Sequence, residues 1–223
     1  MSNIYINPYF TTPYLRRNTI IISVIVLLFS INIFGQENKI DFGVKAGVNY
    51  STLFFGNDVP SEFPASFNGK IGFHIGGFMR YKFSEKLMLK PELLFSTQGA
   101  EYVLNTSGII IDPNEPTFNN NYKADINEYM LLLPILLDYY FNPKFDVEFG
   151  PQFAYVVNNE ITDNNDNIEL SLGNYDKFEV DLCLGIGYNF TEKYRIGLRY
   201  NLGITERNNR KSSVFQLGLQ FKI

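Results

Sequence analysis

Few residues in this chain have side chains and spacing suited to covalent chemistry. There is one histidine, His74, and one cysteine, Cys183. Acyl or phosphoryl transfer needs a nucleophile held beside a base. His74 lies mid-way along an alternating apolar and polar stretch, on the polar side, where a satisfied interior imidazole is the expected role. Neither a Gly-x-Ser-x-Gly elbow nor a phosphate-binding loop is present. Glu92 and Glu128 could form a carboxylate pair, but they fall on separate segments and their spacing stays open. The run Asp163-Asn-Asn-Asp-Asn-Ile-Glu169 alternates oxygen ligands like a calcium loop, yet Ile168 stands where such a loop needs glycine. A lone Cys183 gives neither a disulfide framework nor a zinc set, and reads as a small buried side chain. We therefore expect no catalytic, cofactor-binding or metal-ligating residue, and no cofactor.

The elements that carry these residues have a period of two, which is the period of a strand. In the last segment Phe215, Leu217, Leu219, Phe221 and Ile223 point one way, and Gln216, Gly218, Gln220 and Lys222 the other. Eight such segments are read: 40–53, 70–83, 87–103, 127–141, 145–157, 177–190, 194–204 and the C-terminal one. Pro91 and Pro134 each remove a ladder donor, so a bulge or local irregularity is expected at each. An aromatic-rich face over glycines and charges is how a β-barrel sits in lipid, because a soluble barrel puts its bulk inside. Aromatics are 16% of the chain, with no tryptophan, which suits interfacial girdles of Phe and Tyr. The fold expected is an all-β, eight-stranded antiparallel up-and-down transmembrane β-barrel. Closure is required, since lipid tolerates no open strand edge.

Connections alternate. Ser84–Lys86, Asn142–Lys144 and Thr191–Lys193 are tight, each with an aromatic on at least one side; 54–69, 104–126, 158–174 and 205–212 are long and polar. Short periplasmic turns and long external loops are the outer-membrane pattern. Loop 104–126, with Pro113, Pro116 and the run Asn119–Asn121, is polar and could meet a partner. At the N-terminus, Arg16 and Arg17 precede the apolar run Thr19–Phe34, and Gly35 suits cleavage before Gln36. Residues 1–35 are thus expected to be a signal peptide exporting the chain through the inner membrane, and 36–223 the barrel domain. A retained anchor is the alternative, because Ile33 stands where a small residue is usual. Setting Arg16 and Arg17 aside leaves a mature charge of about −6, which argues against a nucleic-acid partner.

Eight strands enclose room for side chains rather than an aqueous channel. The inward set expected is Lys45, Arg80, Lys82, Lys90, Arg195, Arg199 and Lys222 against Glu92, Glu128, Asp138, Asp146, Glu148, Glu179 and Asp181. Buried charges persist only when paired, so a salt-bridge plug is the expected interior. A narrow path for ions or small solutes is the alternative.

Several ordered pieces together resemble the PorT-type outer-membrane β-barrel family of Gram-negative bacteria. They are Phe42-Gly-Val-Lys-Ala-Gly-Val-Asn-Tyr-Ser51, Lys90-Pro-Glu-Leu-Leu-Phe-Ser-Thr-Gln-Gly99, Glu128-Tyr-Met-Leu-Leu-Leu-Pro-Ile-Leu-Leu137, Gly150-Pro-Gln-Phe153, Gly185-Ile-Gly-Tyr188 and Arg199-Tyr-Asn-Leu-Gly203. The resemblance spans 40–223. It implies a small outer-membrane barrel, and its namesake is linked to a system that secretes proteins across the outer membrane. It carries no catalytic residues. The chain departs from barrel substrates of the assembly machinery that end in an aromatic, since Ile223 is last and Phe221 third from the end.

The function expected is a non-enzymatic integral outer-membrane protein with a structural or interaction role. Its partners would be outer-membrane lipid, the barrel-assembly machinery during insertion, and a protein met through the external loops or the periplasmic face. The rivals are a narrow pore, a lipid-modifying outer-membrane enzyme and a soluble lipocalin-like carrier, which would need polar residues where this chain has Phe, Leu and Ile.

Overall fold

The computed structural model describes residues 39–56, 65–105, 121–163, 169–170 and 176–223. The expected signal segment, residues 164–168 of the calcium-like run and most of loop 104–126 lie outside the described residues. The strands are β1 (Ile40–Phe55), β2 (Ala65–Lys82), β3 (Leu87–Asn105), β4 (Asn121–Tyr140), β5 (Phe145–Asp163), β6 (Glu169–Leu170), β7 (Phe178–Asn189), β8 (Tyr194–Gly203) and β9 (Arg210–Lys222). All pairings are antiparallel. Around the ring the order is β1, β2, β3, β4, β5, β7, β8, β9 and back to β1, so eight strands close and no edge remains in the wall. The two-residue β6 adds only to the upper end of β5, through Ile161 opposite Leu170.

Side chains alternate as the period dictates. Val48, Phe73, Leu93, Leu131, Phe149, Leu184, Leu198 and Leu219 are exposed, whereas the charged residues between them are buried. That inversion needs a hydrocarbon solvent outside. The three tight turns share one device. Ser84, Asn142 and Thr191 each follow a phenylalanine, and each side-chain oxygen accepts from the two backbone N–H groups that restart the chain, at 2.9–3.3 Å. This is the local bonding that makes Ser, Thr and Asn turn residues.

Two expectations are refined. Register is the same on either side of Pro91 and Pro134, but pairing lapses at Met79/Pro91 and Glu92/Pro134, so each proline is a local irregularity without a bulge. The shifts fall instead between Gly69 and His74, where β2 carries an extra residue against β3, and at Tyr129/Met130, where β5 carries one against β4. A proline whose missing N–H faces away from a ladder bond needs no bulge. The segment 205–212 is not a long loop. Arg207 and Arg210 form a bridge around Asn208 and Asn209, whose φ values are 54° and 56°. A two-residue turn with both φ positive matches the twist of the flanking strands, and asparagine tolerates it.

β1 to β5 also outrun their expected ends, always at the loop side, whereas β7 and β8 stop a residue short. β2 to β5 hold 18 to 20 residues, against 10 to 13 in β7 to β9. About 9–11 tilted residues cross the hydrocarbon, so the longer strands rise beyond it. There the outer surface turns ionic: Glu101 accepts from Asn68 (2.7 Å) and Lys123 (3.2 Å), and Lys70 meets Asp125 at 3.0 Å.

Candidate functional site

The lumen is the candidate site, and it is layered. The main ionic layer holds Lys45, Lys90, Arg195 and Arg199 against Glu92, Asp138, Asp146 and Glu148, all buried. Arg199, from β8, forks onto Glu92 of β3 at 2.9 and 2.7 Å and donates Nε to Glu148 of β5. In an eight-strand ring β8 and β3 lie opposite one another, so this pair spans the bore. Lys90 meets Glu148 at 2.6 Å and Asp138 at 2.9 Å. Arg195 binds Asp146 through two nitrogens and reaches Glu148 at 3.0 Å. Lys45 reaches Glu92 at 3.2 Å. Bidentate guanidinium–carboxylate pairs are the strong, geometrically specific kind. Gly187 makes room for this, because a Cβ there would collide with the Arg195 guanidinium.

Further toward the loop end, Asn49 links His74 (2.7 Å) to Ser96 (2.9 Å). Gln152 donates to Asp181 across β5 and β7. A second crossbar follows. Arg207 forks onto Glu128 of β4 at 2.8 and 2.7 Å and donates to Glu179 at 3.1 Å, while Ser212 closes on Glu179 at 2.6 Å. Above it the lumen turns apolar. Phe55, Phe67, Tyr102, Ala124, Ile126 and Ile161 line a cavity of about 380 Å³, together with Asn208, Asn209 and Arg210 of the tight turn. The ring centroids of Phe55 and Phe67 lie 4.8 Å apart, and those of Phe67 and Tyr102 5.6 Å.

At the opposite mouth Asp41 holds Lys82 at 3.1 Å and Lys222 at 3.9 Å. Arg80 donates to the Tyr140 hydroxyl at 3.0 Å and lies over the Phe78 ring.

All seven carboxylates read as inward are buried, as are Lys45, Arg80, Lys90, Arg195 and Arg199; Lys82 and Lys222 sit at the mouth, partly exposed. Glu92 and Glu128 are not brought together. Six residues along the wall, about 20 Å at strand rise, separate their levels, and each has its own arginine. His74 is inward and buried. Cys183 is fully buried. Among the described residues one trio, Asp138, Asp146 and Glu148, brings carboxylate oxygens within 4.8 Å of one another. Lys90 and Arg195 already supply its positive charge.

Sequence reasoning missed two things. Arg207 fell in a segment read as loop; the Asn208-Asn209 pair was the available signal for a tight turn that returns it to the lumen. The inward apolar residues Leu94, Met130, Leu132, Ala154 and Val156 form a buried cluster on one wall. In Met130–Leu137 both faces are apolar; alternation sends Leu131, Leu133 and Leu137 outward, as observed, but gives no sign that Met130, Leu132 and Leu136 make an apolar patch within the lumen.

An inside-out closed barrel, with a hydrocarbon-facing surface and an ion-paired bore, defines an integral membrane protein of the outer-membrane type. The family model described as outer membrane protein beta-barrel domain matches residues 34–222, and the chain belongs to that family. No curated protein sequence matches it. Among solved structures it is similar to Neisserial surface protein A (14% identity, 82% of this chain and 97% of that one, TM-score 0.49). It is similar also to Ail, the attachment invasion locus protein of Yersinia pestis (10%, 82% and 98%, 0.45). A third is the outer membrane protein OprG from Pseudomonas aeruginosa (14%, 82% and 95%, 0.43).

Proposed function

We propose that this chain is a closed, non-enzymatic anchor of the outer membrane that holds its outer loops and periplasmic face for a protein partner. Residues 1–35 serve as its signal peptide, and the assembly machinery inserts residues 36–223. The PorT resemblance points to protein secretion in a Gram-negative bacterium as the setting. The observation that carries the reading is the pair of crossbars, Arg199–Glu92 and Arg207–Glu128, each joining opposite walls at two levels of one bore. A conducting ion would have to pass both, against side chains tied by two or three charge-assisted bonds each. A wall so braced suits a rigid platform. Planar-bilayer recording of the purified barrel tests it: a silent baseline is expected, and discrete open steps would overturn the closed reading. The non-enzymatic part is tested by the lipid profile of cells lacking and overproducing the chain, where a new lipid species would refute it.

A further inference from the structure

The periplasmic mouth holds a cationic group that the ion-pair network leaves out. Arg80 is 6% exposed. Among the described residues it contacts the Tyr140 hydroxyl and the Phe78 ring, and no carboxylate there lies within ion-pair distance of it. Its Nε is buried without a hydrogen-bond partner. The other deep cations, Lys45, Lys90, Arg195, Arg199 and Arg207, each meet at least one carboxylate. A buried guanidinium without a counter-charge is costly, and an unsatisfied Nε calls for an acceptor.

Arg80 does not face a packed wall. It lines a cavity of about 320 Å³ at the turn end of the barrel, with Lys82, Lys144 and Lys222. Asp41 and Glu192 are the carboxylates of the same cavity, and Asp41 is already shared between Lys82 and Lys222. Lys39, Lys86 and Lys193 stand at the same end and widen the positive field. Nη1 being engaged by Tyr140, the Nε edge is the one left for an acceptor, and that edge is part of the fork by which arginine grips oxyanions.

We propose that this cavity is an oxyanion site, and that its ligand is a carboxylate side chain of an acidic peptide segment entering from the periplasm. Arg80 is the anchor at the bottom; the lysines around the mouth attract and orient the segment. A peptide rather than a free ion is favoured because the lysines extend beyond the cavity, where only an extended polyanion meets several at once. The site deepens the partner half of the proposed function and rests on the turn end facing the periplasm.

The test is binding of fluorescently labelled hexaglutamate, and separately of inorganic phosphate, to the full barrel in lipid nanodiscs at low salt. Folding is verified by the mobility difference between boiled and unboiled samples. Hexaglutamate is expected to bind the native barrel, and Arg80→Gln to weaken it about tenfold or more. Arg80→Lys keeps the charge without the fork and is expected to lose about threefold to tenfold. Lys123→Gln, paired with Glu101 at the opposite rim, is expected to lose less than about twofold. No binding, or binding unchanged in both Arg80 variants, would overturn the site. Phosphate binding as tightly as the peptide would overturn the peptide as its ligand. Silence or conductance in the bilayer assay leaves this titration unaffected, so the two readings fail separately.

Discussion

Arg199 is the place to test whether the bore is held by a charge network or merely contains charges. Arg199→Met removes three hydrogen bonds and leaves three cations against four carboxylates in the main layer. Glu92 keeps Lys45 at 3.2 Å and Lys90 at 3.8 Å; Glu148 keeps Lys90 at 2.6 Å and Arg195 at 3.0 Å. Breaking a buried pair from one side costs about 3–5 kcal/mol because a charge is left uncompensated. With other cations still in reach, we expect the lower end, about 3 kcal/mol. Glu148→Met, which strips carboxylate from Lys90, Arg195 and Arg199 together, is expected to cost a similar amount, about 3 kcal/mol.

The double variant separates the explanations. With both changes the layer holds three cations and three carboxylates. Lys45 and Lys90 keep Glu92, Lys90 keeps Asp138, and Arg195 keeps Asp146. Replacing a buried ion pair by apolar side chains of similar volume is often neutral, so the double variant should lie within about 1 kcal/mol of the native chain. The coupling in the cycle is then about 5 kcal/mol. Urea unfolding in detergent, followed by gel mobility and tyrosine fluorescence (the chain has no tryptophan), reads this directly. A loss of about 3 kcal/mol lowers the midpoint by roughly 1–3 M. A double variant destabilised by the sum of the singles, or an Arg199→Met chain within about 1 kcal/mol of native, would refute the network argument.

Other perturbations follow from the same geometry. Leu184→Arg, at an exposed position near the middle of β7, should cost about 2–4 kcal/mol of folding free energy in vesicles; a change under about 1 kcal/mol would place that face out of hydrocarbon. Asn209→Val, at a φ of 56°, should destabilise by about 1–3 kcal/mol, and Asn209→Gly should be near neutral, both read by urea midpoint. Gly187→Val would drive a side chain onto the Arg195 guanidinium and should cost about 1–3 kcal/mol by overpacking. Cys183, fully buried, should resist a thiol reagent in the folded barrel and react once urea unfolds it; rapid labelling of the folded form would contradict its place in the wall.

The sequence carried the wall and most of the plug because both obey one rule. A period of two sends each residue to lipid or lumen, and the charged members between Leu and Phe had only the lumen to go to. Hence Glu92, Asp138, Glu148 and Arg199 were legible as a set, although their partners were not. Alternation gives a direction, while pairing depends on which strands face each other across the closed ring. Arg207 was illegible for a different reason. Its segment lacks alternation, and only the backbone conformation of Asn208 and Asn209 returns it to the bore. The bulges were also out of reach, because an extra residue in β2 or β5 leaves no mark of residue type.

Those bulges mark where the upper barrel begins to differ from the lower. Below them even-numbered residues of β2 and β5, such as His74, Arg80, Asp146 and Glu148, face the lumen. Above them parity flips, and Phe67 and Ile161 turn inward against Leu53, Ala100 and Ile126. At the same level the outer surface carries Asn68, Glu101, Lys123 and Asp125. A wall that has left the hydrocarbon no longer needs a greasy outside, and water favours the opposite arrangement. Residue type makes the exchange from an inside-out barrel to an ordinary one where the solvent changes, and in β2 and β5 the extra residue brings Phe67 and Ile161 into step with it. Deleting Val157 would remove the bulge yet keep Ile161 inward opposite Ile126, because the residues above it shift by one together with the parity. Ile161→Asp is the change that puts a charge into the apolar upper lumen, and its cost should appear as lost order in the outer rim rather than as failure of the membrane-embedded wall. Protease cleavage confined to the rim would fit that account, whereas unfolding of the whole barrel would show that the two regions are one cooperative unit.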